Sequence, residues 1–285
     1  MVKVLILGAK GMLGQELVRV FGISGNDVIG WDKEELDITN FEETAKKVAA
    51  LNPNVLINAV AYNLVDKIEE DPGISELAKN INGEAVGNLA RVCKENNITF
   101  VHYSSDYVFR GDNRDGYKEE DKVYPVNKYG ETKAIGENQV LHIGGKFYII
   151  RLSKLFGKPA ASVGAKKSFV DTMIWLATEG KKTHLDLVDE EIGCITYASD
   201  LAHLTRTLIE ESRPFGIYHG ANNGVCSWYQ WAKEIFKIKN ITIDITPVSG
   251  DKFPRPAKRP MYSELLNTKL PPQRNWQEAL KEYLS

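Results

Sequence analysis

The chain has 285 residues, 43% of them hydrophobic, which is enough to bury a full core as one large domain or as a domain with a smaller lobe. Its 36 basic and 38 acidic side chains nearly cancel, so no net field draws it to nucleic acid or to an anionic membrane, and small-molecule chemistry is the expectation. Three widely spaced cysteines, Cys93, Cys194 and Cys226, suit neither a disulfide framework nor a zinc cluster and read as small buried apolar residues.

Val2–Leu7 is the first expected strand. Its apolar run stops at a glycine, too short for a signal-peptide core, and nothing later approaches a membrane-spanning length, so the cytoplasm is the expected location. Further strands are expected at Asp27–Trp31, Asn54–Asn58, Ile98–Ser104 and Phe147–Leu152, mostly continuous apolar runs of the kind buried on both faces. Helices are expected at Leu13–Phe21, Phe41–Ala50, Ile74–Glu95 and Val126–Leu141, with Asn40 and Ser75 suited to capping. This alternation predicts an α/β fold with a doubly wound parallel sheet. Beyond Leu152 the pattern changes, with a Gly/Ala/Lys-rich stretch from Lys154 to Lys167 and an irregular one from Pro247 to Pro260. Short strands at Asp186–Val188 and Gly216–His219 and helices at Tyr197–Glu211 and Trp228–Phe236 complete the reading.

Gly8, Gly11 and Gly14 follow the first strand directly and open the first helix, the context in which a glycine motif marks a dinucleotide site. Such residues permit a tight turn and close approach to a pyrophosphate, while the helix start at Met12 and Leu13 offers N–H groups and a positive dipole end. The spacing is one residue longer than the common fingerprint. Asp32, ending the second strand, can accept hydrogen bonds from adenosine ribose hydroxyls, which favours NADH. Lys10 and Lys33 could instead neutralise the extra phosphate of NADPH, so both cofactors stay open. Asp37-Ile38 begins the next connection and could reach the adenine edge. Residues 1–152 and about 187–215 are thus expected to form a Rossmann-like NAD(P)-binding domain, with about 153–186 and 216–285 as a substrate lobe.

Two Tyr-x-x-x-Lys matches overlap this region, Tyr124 with Lys128 and Tyr129 with Lys133. Four residues apart on a helix means one face, and Pro125, suited to a first helical turn, pushes Tyr124 out of helical geometry and leaves Tyr129 and Lys133 inside. A carbonyl that receives hydride must also receive a proton, and a lysine ammonium beside a tyrosine stabilises the phenolate left behind. Lys133 is also expected to hold the nicotinamide ribose. Ser105, at the end of the fourth strand, is placed to polarise a substrate carbonyl.

Together these residues resemble the extended short-chain dehydrogenase/reductases, and within them the dTDP-4-dehydrorhamnose reductase branch, over almost the whole chain. The resemblance rests on Gly8-Ala-Lys-Gly-Met-Leu-Gly14, Leu36-Asp-Ile-Thr39, Asn58-Ala-Val-Ala61, Val65-Asp-Lys67, Asn82, Ser104-Ser-Asp-Tyr-Val-Phe109, Tyr129-Gly-Glu-Thr-Lys133, Gly157 and Phe253-Pro-Arg-Pro-Ala-Lys-Arg-Pro260. It implies that Ala59, Val60 and Ala61 line the cofactor, that Ser105, Tyr129 and Lys133 are catalytic, and that Asp106 and Tyr107 touch a sugar. It also implies a C-terminal lobe holding a nucleoside diphosphate, with Arg255, Lys258 and Arg259 supplying charge for the phosphates.

Departures fall on the substrate side. Lys154, in Arg151-Leu-Ser-Lys-Leu-Phe-Gly157, stands where the family has a tryptophan against the sugar, Gly193-Cys-Ile-Thr196 lacks the family's proline, and Tyr62-Asn63 replaces His-Thr. The implied reaction is reduction of a nucleotide-linked 4-keto-6-deoxy sugar. Reductases or epimerase/reductases of another sugar, or a non-catalytic NAD(P)-binding regulatory subunit, are the alternatives. Some members of the branch dimerise around magnesium. Glu16 and Asp189-Glu190-Glu191 have suitable chemistry, but common acidic residues give the metal no support, and a homodimer stays open.

Overall fold

The computed structural model describes residues 2–162 and 167–285, so part of the Lys154–Lys167 stretch lies outside the described residues. Strand β1 (Lys3–Leu7) leads into α1 (Met12–Ile23), β2 (Asp27–Trp31), α2 (Phe41–Leu51) and β3 (Val55–Asn58). Three helices follow, α3 (Val65–Glu70), α4 (Pro72–Lys79) and α5 (Ala85–Glu95), then β4 (Thr99–Ser105), α6 (Lys128–Ile143) and β5 (Phe147–Leu152). The second half runs β6 (Leu155–Phe156), α7 (Phe169–Ala177), β7 (His184–Val188), β8 (Ile192–Gly193), β9 (Thr196–Tyr197), α8 (Ala198–Glu210) and β10 (Gly216–His219). It ends with α9 (Trp228–Ile238), β11 (Asp244–Val248), β12 (Tyr262–Ser263) and α10 (Trp276–Leu284).

Six strands form one sheet in the order β10-β5-β4-β3-β1-β2, every neighbouring pair parallel. The continuous apolar runs are explained by period-two alternation with both faces covered. Val4, Ile6, Val55, Ile57, Val101 and Tyr103 pack toward α1 and α8, whereas Leu5, Leu7, Leu56, Phe100 and Ile149 pack toward α2, α5 and α6. The expected doubly wound α/β fold is therefore present.

Several local expectations need correction. Strand β10, assigned from sequence to the lobe beginning at 216, is the edge of the main sheet, in parallel register with Tyr148–Arg151. Conversely β7 pairs with β11, and β8 with β12, so the chain rejoins the sheet layer only with α8. The single helix expected over Ile74–Glu95 is broken by a π-helical turn at Asn80–Glu84. Its start is capped not by Ser75 but by Asp71, whose carboxylate accepts from the N–H groups of Gly73 (2.8 Å) and Ile74 (3.2 Å), with Pro72 in the first helical position. Helix α6 starts at Lys128 rather than Val126, because Asn127 caps it by accepting from Gly130 N–H at 2.8 Å. Pro125 thus precedes the cap instead of occupying the first turn. Tyr124 nevertheless lies outside the helix, 60% exposed, and Lys128 donates to the Glu69 carbonyl at 2.9 Å.

The lobe has its own core, in which Phe156, Val170, Met173, Trp231, Ile235, Phe236 and Trp276 meet. Cys93, Cys194 and Cys226 are free and buried, and burial raises all three thiols.

Candidate active site

The chain leaves β1 for β2 on one side and returns to β3 on the other, which opens a crevice at the carboxyl ends of β1 and β3. Gly8 turns the backbone there with φ +77°, and its N–H donates to the Trp31 carbonyl at 2.8 Å. A Cβ on Gly8 would lie 3.1 Å from the Ala59 carbonyl carbon, and one on Gly14 only 2.0 Å from the Gly8 oxygen. Gly11 begins α1 without a side-chain cap, and no acidic residue occupies the first turn, so no side chain of that turn competes for its N–H groups, those of Met12 and Leu13 included. This cradle fits a dinucleotide pyrophosphate.

Asp32 stands just beyond β2, its carboxylate accepting from the backbone N–H of Lys10 (3.0 Å) and Lys33 (2.9 Å). The ammonium of Lys10 is turned onto Glu34 at 3.0 Å, an exposed pair. Asp37 is engaged by its own turn: the Thr39 hydroxyl (2.6 Å) and N–H (3.0 Å) donate to it and hold its carboxyl below the ordinary range. Ile38 is buried beneath it. Ala59 N–H donates to Leu7 at 3.0 Å and Val60 N–H to Asn58 Oδ1 at 3.1 Å, which fixes the strap after β3; Ala61 is exposed.

Ser105 ends β4, and Tyr129 and Lys133 lie one turn apart on α6. That helix fits closely because it carries glycine at 130, where a Cβ would lie 2.2 Å from the Tyr107 oxygen. The rings of Tyr107 and Tyr129 meet edge to face with centroids 5.5 Å apart. Burial pushes the Tyr129 phenol up to about 12, while the facing Ser105 hydroxyl works in the opposite direction. Lys133, 2% exposed, donates from Nζ to the Tyr103 carbonyl at 2.6 Å. Burial brings its ammonium down to about 8, and the Glu137 carboxylate one turn along the helix opposes that fall. The geometry therefore supplies a phenol to give a proton, a cation to stabilise the phenolate and a hydroxyl to receive a developing alkoxide.

On the substrate side the structure revises the residue roles. Asp106 is 2% exposed and accepts from Ser105 (3.0 Å), Ser153 (2.7 Å) and Ser263 (2.7 Å), so it lies beneath the site and orients Ser105 instead of presenting a carboxylate to a sugar. Lys154, at φ +42°, donates to the carbonyls of Glu191 and Cys226, each at 3.2 Å, and sits over the Trp228 ring at 4.9 Å. Arg255 is paired with the buried Glu191, which also accepts from Trp228 Nε1 at 2.8 Å, and Arg259 with Asp66 at 2.7 Å. Both guanidinium groups carry resident carboxylate partners in this state.

Five further residues serve this site and were not singled out from the sequence as site residues. Asn82, turned inward by the π-helical turn, bonds Tyr62 N–H and carbonyl, both at 2.9 Å, and Thr132 Oγ1 at 3.0 Å, tying the crevice wall to α6. Asn58 and His102 lie in line beneath Lys133. Glu137 and Arg151 form a buried two-point ion pair at 2.9 and 2.7 Å. A polar residue inside an otherwise apolar strand, as at 102, was the available signal.

The family profile described as "RmlD substrate binding domain" matches residues 2–285. The chain belongs to this family. It is 38% identical to a dTDP-4-dehydrorhamnose reductase of Clostridium acetobutylicum, whose crystal structure superposes with a TM-score of 0.92 and covers 99% of this chain and 98% of the other. The dTDP-4-dehydrorhamnose reductase of Bacillus anthracis, solved in complex with NADP, shares 34% identity with a TM-score of 0.92 and 99% coverage of both chains. A probable dTDP-4,6-dihydroxy-2-methyloxan-3-one 4-ketoreductase of Streptomyces antibioticus is 35% identical over 98% of this chain and 93% of its own. The extended short-chain dehydrogenase/reductase fold read from the motifs is therefore present, and the chain is an NAD(P)-linked oxidoreductase. Among the described residues no helix is long and apolar enough to cross a membrane, and no group of three or more His, Cys, Asp or Glu side chains is placed to hold a metal ion.

Proposed function

We propose that this protein reduces the C4 carbonyl of a nucleoside-diphosphate-linked 4-keto-6-deoxy sugar, with dTDP-4-dehydrorhamnose as substrate and dTDP-rhamnose as product, in the cytoplasm. The observation that carries the reading is the convergence of Ser105, Tyr129 and Lys133 at the end of β4, beside the crevice lined by Gly8 and Ala59.

NADPH or NADH bound in the crevice supplies the hydride. Tyr129 gives its phenolic proton to the carbonyl oxygen, so the ketone becomes a secondary alcohol and the tyrosine a phenolate. Lys133 offsets that charge, and the Ser105 hydroxyl, whose single proton is directed to Asp106 in the free protein, turns that proton to the oxygen as negative charge develops there. Arg255 and Arg259 take the sugar diphosphate by exchanging Glu191 and Asp66 for phosphate oxygens, and Tyr107 and Lys154 border the sugar.

A second substrate is favoured by one observation. Lys154, the residue at the position where the resemblance implies a tryptophan, lies over the Trp228 ring, and the Streptomyces relative bears the name of a reductase of a different 4-keto sugar. Turnover of a panel of dTDP-4-keto sugars separates these readings. Tyr129→Phe tests both: the variant is expected to bind NADPH normally and to lose turnover, whereas full activity would remove Tyr129 from the chemistry.

A further inference from the structure

Beneath the Tyr129/Lys133 pair lies a buried histidine that the proposed chemistry does not use. His102 is fully buried on β4 and stacks on Phe100, with ring centroids 6.2 Å apart. Its Nδ1 is 3.4 Å from Asn58 Nδ2, and its Nε2 is 3.4 Å from Lys133 Nζ. Gly136, about one turn beyond Lys133, has no side chain to fill this space; a Cβ there would lie 2.3 Å from the Asn82 carbonyl oxygen and 3.6 Å from His102 Nε2.

The proton arrangement of this line follows from its cofactor end. Val60 N–H can only donate, and it donates to Asn58 Oδ1 at 3.1 Å, so the amide nitrogen of Asn58 must face the histidine. Nδ1 is then the acceptor. Burial, reinforced by the Lys133 charge, keeps the imidazole neutral, so its single proton resides on Nε2 and points at Lys133. A donor thus faces a donor. Among the described residues the ammonium's acceptor is instead the carbonyl of Tyr103, the next residue of β4, 2.6 Å away.

We propose that His102, set in its Nε2–H tautomer by Asn58 and Val60, is a positioning residue that lowers the hold of Lys133 on its proton and directs the lysine's N–H groups away from the imidazole, one to the Tyr103 carbonyl and the others toward Tyr129 and the cofactor. The proposal rests on the catalytic reading of Tyr129 and Lys133. It also links the strap after β3, which borders the cofactor, to the state of the lysine. The other titratable groups facing the pair are Tyr129 and Glu137 of α6, the latter held by Arg151 of β5, whereas the phenol of Tyr103 lies on the opposite face of the sheet and bonds Thr205 at 2.7 Å. Asn58 of β3 and Asn82 of the π-helical turn are uncharged, and Glu84 of that turn accepts from Gln139 at 3.5 Å.

Two measurements test this. In protein carrying ¹⁵N-labelled histidine, the His102 imidazole, assigned by its loss in His102→Gln, is expected as the Nε2–H tautomer at neutral pH; an Nδ1–H tautomer or an imidazolium would overturn the proposal. In the pH profile of kcat, His102→Gln, which can turn a carbonyl oxygen toward Lys133, and Asn58→Asp, which reverses the tautomer, are both expected to move the alkaline limb upward by about one unit. Lower activity with an unmoved limb would reduce His102 to a packing residue. Failure of the catalytic reading is read separately, as turnover retained by Tyr129→Phe.

Discussion

Lys133 Nζ lies 2.6 Å from the carbonyl oxygen of Tyr103, which anchors the lysine of α6 to the strand whose end carries Ser105. The ammonium is thereby fixed relative to both the hydroxyl and the phenol that flank a substrate carbonyl. Lys133→Met keeps the stem and removes the charge. It is expected to lower kcat by about 10²-fold or more and to weaken NADPH binding, as measured by steady-state kinetics and cofactor titration. Unchanged kcat would show that the cation is not used.

Gly136 in α6 and Gly22 in α1 make a contrasting pair. A Cβ at 136 would lie 2.3 Å from the Asn82 oxygen, so Gly136→Ala must part α6 from the π-helical turn, at a cost of about 1–3 kcal/mol and with a loss of kcat. At Gly22, in α1, a Cβ meets nothing within 4 Å, and Gly22→Ala is expected to stabilise by about 0.5–1 kcal/mol without kinetic effect. Denaturant unfolding of both variants checks the pair, and equal effects would contradict it.

His219 gives a pH signature for stability. Burial, with Arg151 nearby, brings its imidazole down to about 3, and its Nδ1 is bonded to the Leu266 carbonyl at 2.9 Å. As pH falls below about 6.5 the unfolded chain binds a proton that the folded chain refuses, so this residue lowers stability by about 1.4 kcal/mol per pH unit until its folded value is reached. The exposed His184, raised by Asp244 and Asp186, contributes with the opposite sign around its own titration. The informative quantity is therefore the difference between wild type and His219→Gln, whose stability should fall less steeply between about pH 6 and 4. Parallel curves would show that His219 titrates normally.

Much of the fold was legible because the sheet is buried on both faces: β2 and β5 have the bounds read from their apolar runs, and β1, β3 and β4 differ by a residue. What was hidden depends on partners distant in the chain. The four residues Gly216–His219 carry no mark of which sheet they join; only pairing with β5 decides it. The π-helical turn leaves the helical pattern intact on either side, so Asn82 reads as one more polar helix residue. The proposed trio could be read from sequence because Tyr129 and Lys133 are local and Ser105 sits at a strand end. The pairing of Arg255 with Glu191, and of Arg259 with Asp66, joins residues 64 and 193 positions apart and was not.

Lys154 ties the Glu191 and Cys226 carbonyls across the mouth of the lobe. Lys154→Met removes both hydrogen bonds and the charge over Trp228. It is expected to raise KM for the nucleotide sugar roughly tenfold while leaving KM for NADPH unchanged, since two hydrogen bonds from a charged donor are at stake. Equal changes in both constants would place its effect outside the lobe.

The most direct test is oxidation of NADPH by the purified protein on addition of dTDP-4-dehydrorhamnose, followed by absorbance and by identification of the sugar product. The expected result is oxidation matched mole for mole by dTDP-rhamnose, with none in Tyr129→Phe. Intact cofactor binding without oxidation in the wild-type protein, with this substrate and with other dTDP-4-keto sugars, would contradict the assignment of Ser105, Tyr129 and Lys133 as a reductase site.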